Sequence, residues 1–291
     1  MGRLVSLIAI LLAALSTVAA PAAVADIDIQ PVGSVPIPAG PAEAWIVADM
    51  DTGQVLAGRN DNTSYAPAST IKTLLAQVVL DEVPLESTVV ADEADTRVEC
   101  NCAGVAPGQV YTARQLLEAL LLVSGNDAAN TLARTLGGMD TAVAKMNAKA
   151  ALLGAHGTNV VTPSGLDGPG MPFWSTPHDL AVIFRAAMAN PVFAQITAMR
   201  STVFPTKTGD TVLVNQNELL HRYPGAIGGK TGFTDIARKT FVGAAHRDGR
   251  RLVVVLMHGL VKEGGPTYWD QAAGLLDWGF GLDRTASVGT L

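Results

Sequence analysis

Ser69-Thr70-Ile71-Lys72 places a hydroxyl and an amine three residues apart. On a helical turn that spacing brings both side chains to one face, within reach of each other. A serine becomes nucleophilic beside a base, and a lysine serves as that base once desolvation or a neighbouring cation strips its proton. The N–H groups of a helix start are available to a developing oxyanion. Ser124-Gly125-Asn126 offers a second hydroxyl to relay a proton and an amide to hold substrate or lysine. Lys-Thr-Gly occurs twice, as Lys230-Thr231-Gly232 and Lys207-Thr208-Gly209. Its lysine and hydroxyl suit a carboxylate, and its glycine permits close approach of a substrate backbone. Taken singly, each motif reads more simply as a surface turn or a helix cap.

The elements that must position these groups follow from pattern. "PASTIKTLLAQVVL" (67–80) reads as a helix with Pro67 near its first turn. Residues 112–138 carry helical apolar spacing broken by Ser-Gly-Asn, hence two helices and a tight turn. Residues 44–60 read as strand, Asp-Thr-Gly turn, strand, and 239–259 as two strands around Asp-Gly. Thr176, Pro177 and Asp179 mark a strong helix start for 175–190, and the tail from Tyr268 reads as a last helix. "STVFPTKTGDTVLVNQ" reads as a hairpin that reverses at Lys207. Strands at both chain ends with helices between them predict an α+β fold: one antiparallel sheet from both ends, packed with helices, plus a helical subdomain.

Composition narrows the function class. Of 291 residues 48% are hydrophobic and 16% charged, which suits a large core. A net charge of −6 provides no basic field for nucleic acid or an anionic membrane. Residues 1–25 read as a secretory signal peptide: Arg3, an apolar run from Leu4 to Leu15, then Ala23-Val24-Ala25. Its removal takes one cation, so the exported chain carries −6 − 1 = −7. Action outside the cytoplasmic membrane, in periplasm or cell wall, is expected, with no stable membrane span. Residues 26–43 are Pro-rich and read as an exposed lead-in to a single domain over 44–291. Cys100 and Cys102, without clustered histidines, cannot form a usual four-ligand zinc site, and no metal or cofactor is expected. In an oxidising compartment they can pair despite the small ring, and a disulfide is favoured over two free thiols. His156, His178, His221, His246 and His258 lie apart and read as structural.

S-x-x-K, S-x-N and K-T-G in that order form the signature shared by penicillin-binding proteins and serine β-lactamases. "LLLVSGNDAANTLA", "MNAKAALLGAHGT", "TPSGLDGPG", "STPHDL" and "GGKTGFTDIARKTFVGAA" extend the likeness from about Trp45 to Leu282. The chain resembles the D-alanyl-D-alanine carboxypeptidases of low molecular mass, its actinobacterial members above all. The resemblance implies Ser69 as nucleophile, Lys72 as base, Ser124 as proton relay and Asn126 as orienter of the peptide. It implies that Lys230 and Thr231 bind the terminal carboxylate beside Gly232, and that the N–H groups of Ser69 and Phe233 hold the oxyanion. It selects Lys230 over Lys207, because only "AIGGKTGFT" has a glycine-rich approach and an edge strand's continuation. A further basic residue for the carboxylate is expected at Arg238 or Lys262. The substrate implied is a peptidoglycan stem peptide, with β-lactams as acylating agents. The chain stops soon after Leu282, so the second domain and amphipathic anchor of many relatives are expected to be absent.

Two other readings exist. A class A β-lactamase needs a downstream glutamate for deacylation, and none stands between Ala119 and Asn217. A β-lactam sensor would acylate and remain acylated, and such domains sit on membrane receptors. No G-x-S-x-G elbow or H-E-x-x-H helix supports other hydrolase chemistry.

Overall fold

A computed structural model describes residues 28–260 and 263–291. The segment expected to be a signal peptide and Lys262 lie outside the described residues. The chain opens with strands β1 (Asp28–Ile29), β2 (Ala42–Asp49) and β3 (Gln54–Arg59). A 3₁₀ turn, Ala68–Ile71, runs into α1 (Lys72–Glu82). A helical region follows: β4 (Thr88–Val90), α2 (Glu93–Thr96), β5 (Val110–Thr112), α3 (Ala113–Leu122), α4 (Asn126–Thr135) and α5 (Met139–Leu153). Then come α6 (Pro177–Met188), α7 (Pro191–Ala198), the hairpin β6 (Ser201–Thr206) and β7 (Gly209–Val214), and α8 (Leu219–Arg222). The chain returns to the main sheet through β8 (Ala226–Thr234), β9 (Arg238–Arg247) and β10 (Arg250–Gly259), and ends with α9 (Tyr268–Phe280) and β11 (Gly289–Thr290).

The sheet order is β1-β3-β2-β10-β9-β8, with β11 also on β3. The predicted union of the two chain ends is the β2–β10 ladder, which runs antiparallel from Leu252↔Asp49 to Gly259↔Ala42. Alternation sends Trp45 and Val47 to one face and Ile46 and Ala48 to the other, and both faces are buried. α9 covers the first face with Trp269, Leu275 and Leu276. The helical region covers the second through Leu74, Leu75, Ile183 and Phe184. The sheet is therefore a middle layer, and β8 forms one of its edges.

Local chemistry explains the junctions. Asp248 and Gly249 take φ of 50° and 69° between β9 and β10, the left-handed pair of a tight hairpin turn. Thr176 caps α6 by accepting from the N–H of Asp179 at 3.0 Å, with Pro177 in the first turn. Asp49 ends β2 by accepting the N–H groups of Asp51 and Thr52, and its other oxygen accepts from Arg250 Nε at 2.7 Å. That ion pair is buried on both sides. The segment before β2 lies along the body: Arg59 bonds Asp28 in the β1–β3 pair, and Trp278 Nε1 donates to the Val35 carbonyl. Cys100 and Cys102 are joined in a disulfide.

The structure corrects the predicted 67–80 helix in one respect. Its first turn is 3₁₀, and the α-helix begins only at Lys72 and runs on to Glu82. Ser69 thus sits on a turn where residues three apart eclipse, which stacks Lys72 directly on it.

Candidate active site

Ser69 stands on the 3₁₀ turn behind Ala68, whose φ of 49° is left-handed. Such a conformation in a residue with a side chain costs energy and persists only where its surroundings hold it. The turn is held from two sides. Thr70 Oγ1 and Thr240 Oγ1 both donate to the Pro67 carbonyl, at 2.6 and 3.0 Å. Gly165 packs so closely that a Cβ there would lie 2.3 Å from the Ala68 carbonyl oxygen and 2.8 Å from Ser69 N.

Lys72 is fully buried and has three partners. Its Nζ lies 2.8 Å from Ser69 Oγ, 2.7 Å from Asn126 Oδ1 and 2.5 Å from the Ser164 carbonyl oxygen. No carboxylate among the described residues bonds to it. Burial first, then the charge of Lys230, hold its pKa well below the usual ammonium range. A neutral amine has two N–H bonds and one lone pair. The Asn126 and Ser164 oxygens can only accept, so they take both hydrogens, and the lone pair is left facing Ser69 Oγ. The arrangement can therefore accept the serine's proton.

The second motif lies at the α3–α4 junction. Ser124 has φ of 62°, a strained left-handed value, and its Oγ is buried with no hydrogen-bond partner among the described residues. Asn126 opens α4, and its side-chain N–H donates to the Glu99 carbonyl at 2.7 Å while its backbone N–H donates to the Asn101 carbonyl at 2.7 Å. Those two carbonyls flank Cys100 and fix the amide so that its oxygen faces Lys72.

The third motif is on the edge strand β8. Lys230 is buried, its Nζ donates to the Thr231 carbonyl at 2.6 Å, and burial lowers its pKa to about 7. Gly232 allows β8 to press against the Ser69 turn: a Cβ would stand 2.9 Å from Ser69 N and 2.3 Å from Thr240 Oγ1. Ser69, Ser124, Asn126, Thr231, Gly232 and Phe233 line one cleft of about 690 Å³. Lys72 and Lys230 are buried and do not line it.

The second Lys-Thr-Gly copy is elsewhere. Thr206↔Gly209 is the last pair of the β6–β7 hairpin, so exposed Lys207 and Thr208 form its loop. It borders a separate shallow depression with residues 102–107. Of the two further basic residues expected at the carboxylate site, Arg238 is exposed at the start of β9 and does not line the cleft, while Lys262 is outside the described residues. The basic residue that does line the cleft is Lys239, whose Nζ lies 4.5 Å from the centre of the Phe233 ring. Ser164, Glu99 and Asn101 also escaped the sequence reading, because each acts through a backbone carbonyl, which no side-chain motif marks. The close approach of Gly165 was the available signal, within the quoted "TPSGLDGPG".

The family model for Peptidase S11, D-alanyl-D-alanine carboxypeptidase, matches residues 33–260. The chain is 72% identical over 267 residues to the D-alanyl-D-alanine carboxypeptidase DacB2 of Mycobacterium tuberculosis, covering 92% of each. A crystal structure of a D-alanyl-D-alanine carboxypeptidase from that organism superposes with TM-score 0.88 at 72% identity, covering 90% of this chain and all of the other. The Streptomyces K15 DD-transpeptidase superposes with TM-score 0.79 at 30% identity, covering 85% of this chain and all of that one.

Proposed function

From the premise that this chain belongs to the S11 family of serine D-alanyl-D-alanine carboxypeptidases, we propose that it removes the terminal D-Ala from peptidoglycan pentapeptide stems through an acyl-enzyme on Ser69. The observation that carries the residue assignment is the buried Lys72 Nζ, held within hydrogen-bond distance of Ser69 Oγ, Asn126 Oδ1 and the Ser164 carbonyl oxygen with no carboxylate bonded to it among the described residues.

The steps follow from the positions of the groups. Lys230 and Thr231 receive the terminal carboxylate, whose negative charge favours the protonated form of Lys230. The carboxylate and the β8 edge hold the penultimate D-Ala carbonyl over Ser69. Ser69 Oγ attacks that carbon as its proton passes to Lys72 Nζ. The tetrahedral oxyanion is met by the N–H groups of Ser69 and Phe233; the close approach of Gly232 to Ser69 N sets β8 against the Ser69 turn. The proton moves from Lys72 by way of Ser124 Oγ to the departing D-Ala nitrogen, and the C–N bond breaks. D-Ala leaves, and water entering that space gives a proton to Lys72 Nζ as its oxygen attacks the ester carbon; the C–Oγ bond breaks, Lys72 returns the proton to Ser69 Oγ, and the shortened peptide is released.

β-Lactams are read as acylating the same serine. The family's action on peptidoglycan, together with the signal-like residues 1–25, supports work outside the cytoplasmic membrane. No single helix among the described residues is long and apolar enough to cross a membrane. The test is incubation with a peptidoglycan pentapeptide and mass analysis of the product. Loss of one D-Ala with wild-type protein and none with Ser69→Ala is expected. Equal turnover by folded Ser69→Ala protein would refute the acyl-enzyme on Ser69.

A further inference from the structure

Asp127 adjoins the second motif and takes no part in the steps above, yet its carboxylate is buried with an unusual set of partners. Oδ1 accepts the N–H of Ala103 at 2.9 Å, and Oδ2 accepts the N–H groups of Gly104 and Val105, both at 2.9 Å. Oδ1 also accepts the N–H of Ala128 in its own helix at 2.8 Å. No cation pairs with this carboxylate among the described residues; four backbone donors satisfy it. Three of them belong to one loop, residues 99–105, which the Cys100–Cys102 disulfide closes upon itself. The start of that loop supplies the Glu99 and Asn101 carbonyls that grip Asn126. Asn126 in turn holds Lys72.

We propose that Asp127 is a positioning residue for acylation: by clamping loop 99–105 it fixes the two carbonyls that orient Asn126, and through Asn126 the lone pair of Lys72. The chain of contacts is unbroken and each link is directional. A carboxylate is required at its head, because all four partners are donors. An amide of the same shape would point an N–H₂ at backbone N–H groups on one side and push the loop away. The proposal rests on the acyl-enzyme reading of Ser69.

The charge of Asp127 also reaches Lys72, raising its pKa against the opposing effects of burial and Lys230. The charged groups that bear on Lys72 are Asp127 from α4 and Lys230 from β8, with Glu99 and Asp167 farther out along the cleft. Removing the carboxylate charge should therefore lower the pKa of Lys72 further, a change that a purely structural role would not produce.

The experiment measures the second-order rate of acylation by penicillin G against pH, for wild type, Asp127→Asn and Asp127→Glu, with thermal midpoints alongside. Folded Asp127→Asn protein is expected to acylate about 10²-fold more slowly, the cost of displacing a catalytic group by about 1 Å, with its acid limb moved to lower pH. Asp127→Glu keeps the charge and displaces the clamp, so a slower rate with the acid limb in place is expected. Should Asp127→Asn fail to fold, Asp127→Glu decides. A wild-type rate in either folded variant, or an unmoved acid limb in Asp127→Asn, overturns the proposal. Failure of the wild-type protein itself to acylate would instead refute the reading of Ser69.

Discussion

Lys72 Nζ lies 2.8 Å from Ser69 Oγ, with the oxygens of Asn126 and Ser164 occupying its other two directions. The Lys72 amine is thus held by two neutral acceptors rather than by a carboxylate. A carboxylate there would stabilise the ammonium and disable it. The design depends on an amine that is buried, unpaired and able to shed its proton.

Lys72→Arg puts a permanent cation in place of the amine and cannot supply a lone pair at any working pH. Acylation should fall by about 10²–10⁴, the usual contribution of a positioned general base. Stopped-flow or mass measurement of acylation decides it. A folded arginine variant acylating at the wild-type rate would show that Lys72 is not the base.

The two Lys-Thr-Gly copies should respond differently. Lys230 is buried at the cleft and Lys207 exposed on a hairpin loop. Lys230→Ala should lose about 1.5–3 kcal/mol of carboxylate binding, roughly tenfold to a hundredfold in kcat/KM. Lys207→Ala should stay near wild type. The reverse pattern would transfer the carboxylate site to the hairpin.

The pH profile of kcat/KM with a pentapeptide should be bell-shaped. It rises as Lys72 loses its proton and falls as Lys230, lowered by burial to about 7, loses its own. Bound carboxylate favours charged Lys230, so the alkaline limb of kcat should lie at higher pH than that of kcat/KM. A profile flat from about pH 5 to 9 would exclude a neutral lysine acting beside a charged one.

Gly165→Ala should destabilise the protein and slow acylation together. The backbone there has φ of 85°, and a Cβ would meet the Ala68 carbonyl oxygen at 2.3 Å, immediately before Ser69. Gly170→Ala shares a positive φ, 75°, but meets nothing within 4 Å, so it should cost only about 1–2 kcal/mol and leave acylation intact. Thermal unfolding and acylation rates of the two variants check this pair. Equal behaviour would mean that close packing on the nucleophile turn is unimportant.

Much of this was readable in the residues because side chains carry it. The alternation of β2 and β10, the Asp248-Gly249 turn and the Thr176 cap each follow from local chemistry, and so did the sheet. The three motifs name the polar groups of the cleft. What remained hidden works through backbone or through distance in the chain. The Ser164, Glu99 and Asn101 carbonyls belong to residues whose side chains say nothing of their use. The choice of Lys239 over Arg238 at the cleft depends on which way β9 leaves its turn, a matter of one residue of register. The 3₁₀ start of α1 was also hidden, since Pro67 and the hydroxyls fit either helix type.

The central claim is that Ser69 forms the covalent intermediate and that no dedicated base clears a β-lactam from it. No glutamate lies between Ala119 and Asn217, and the positions beside Lys72 are taken by an amide and a backbone carbonyl. With a peptide, the departing D-Ala leaves space for water. With a β-lactam, the opened ring stays tethered and keeps that space filled. The most direct measurement is intact-protein mass after brief exposure to penicillin G, followed over hours, with peptide mapping of the adduct. The account predicts one adduct, on Ser69, that persists far longer than the acyl group of the natural peptide. An adduct on another residue, or one that vanishes within seconds while excess drug is hydrolysed, would contradict it.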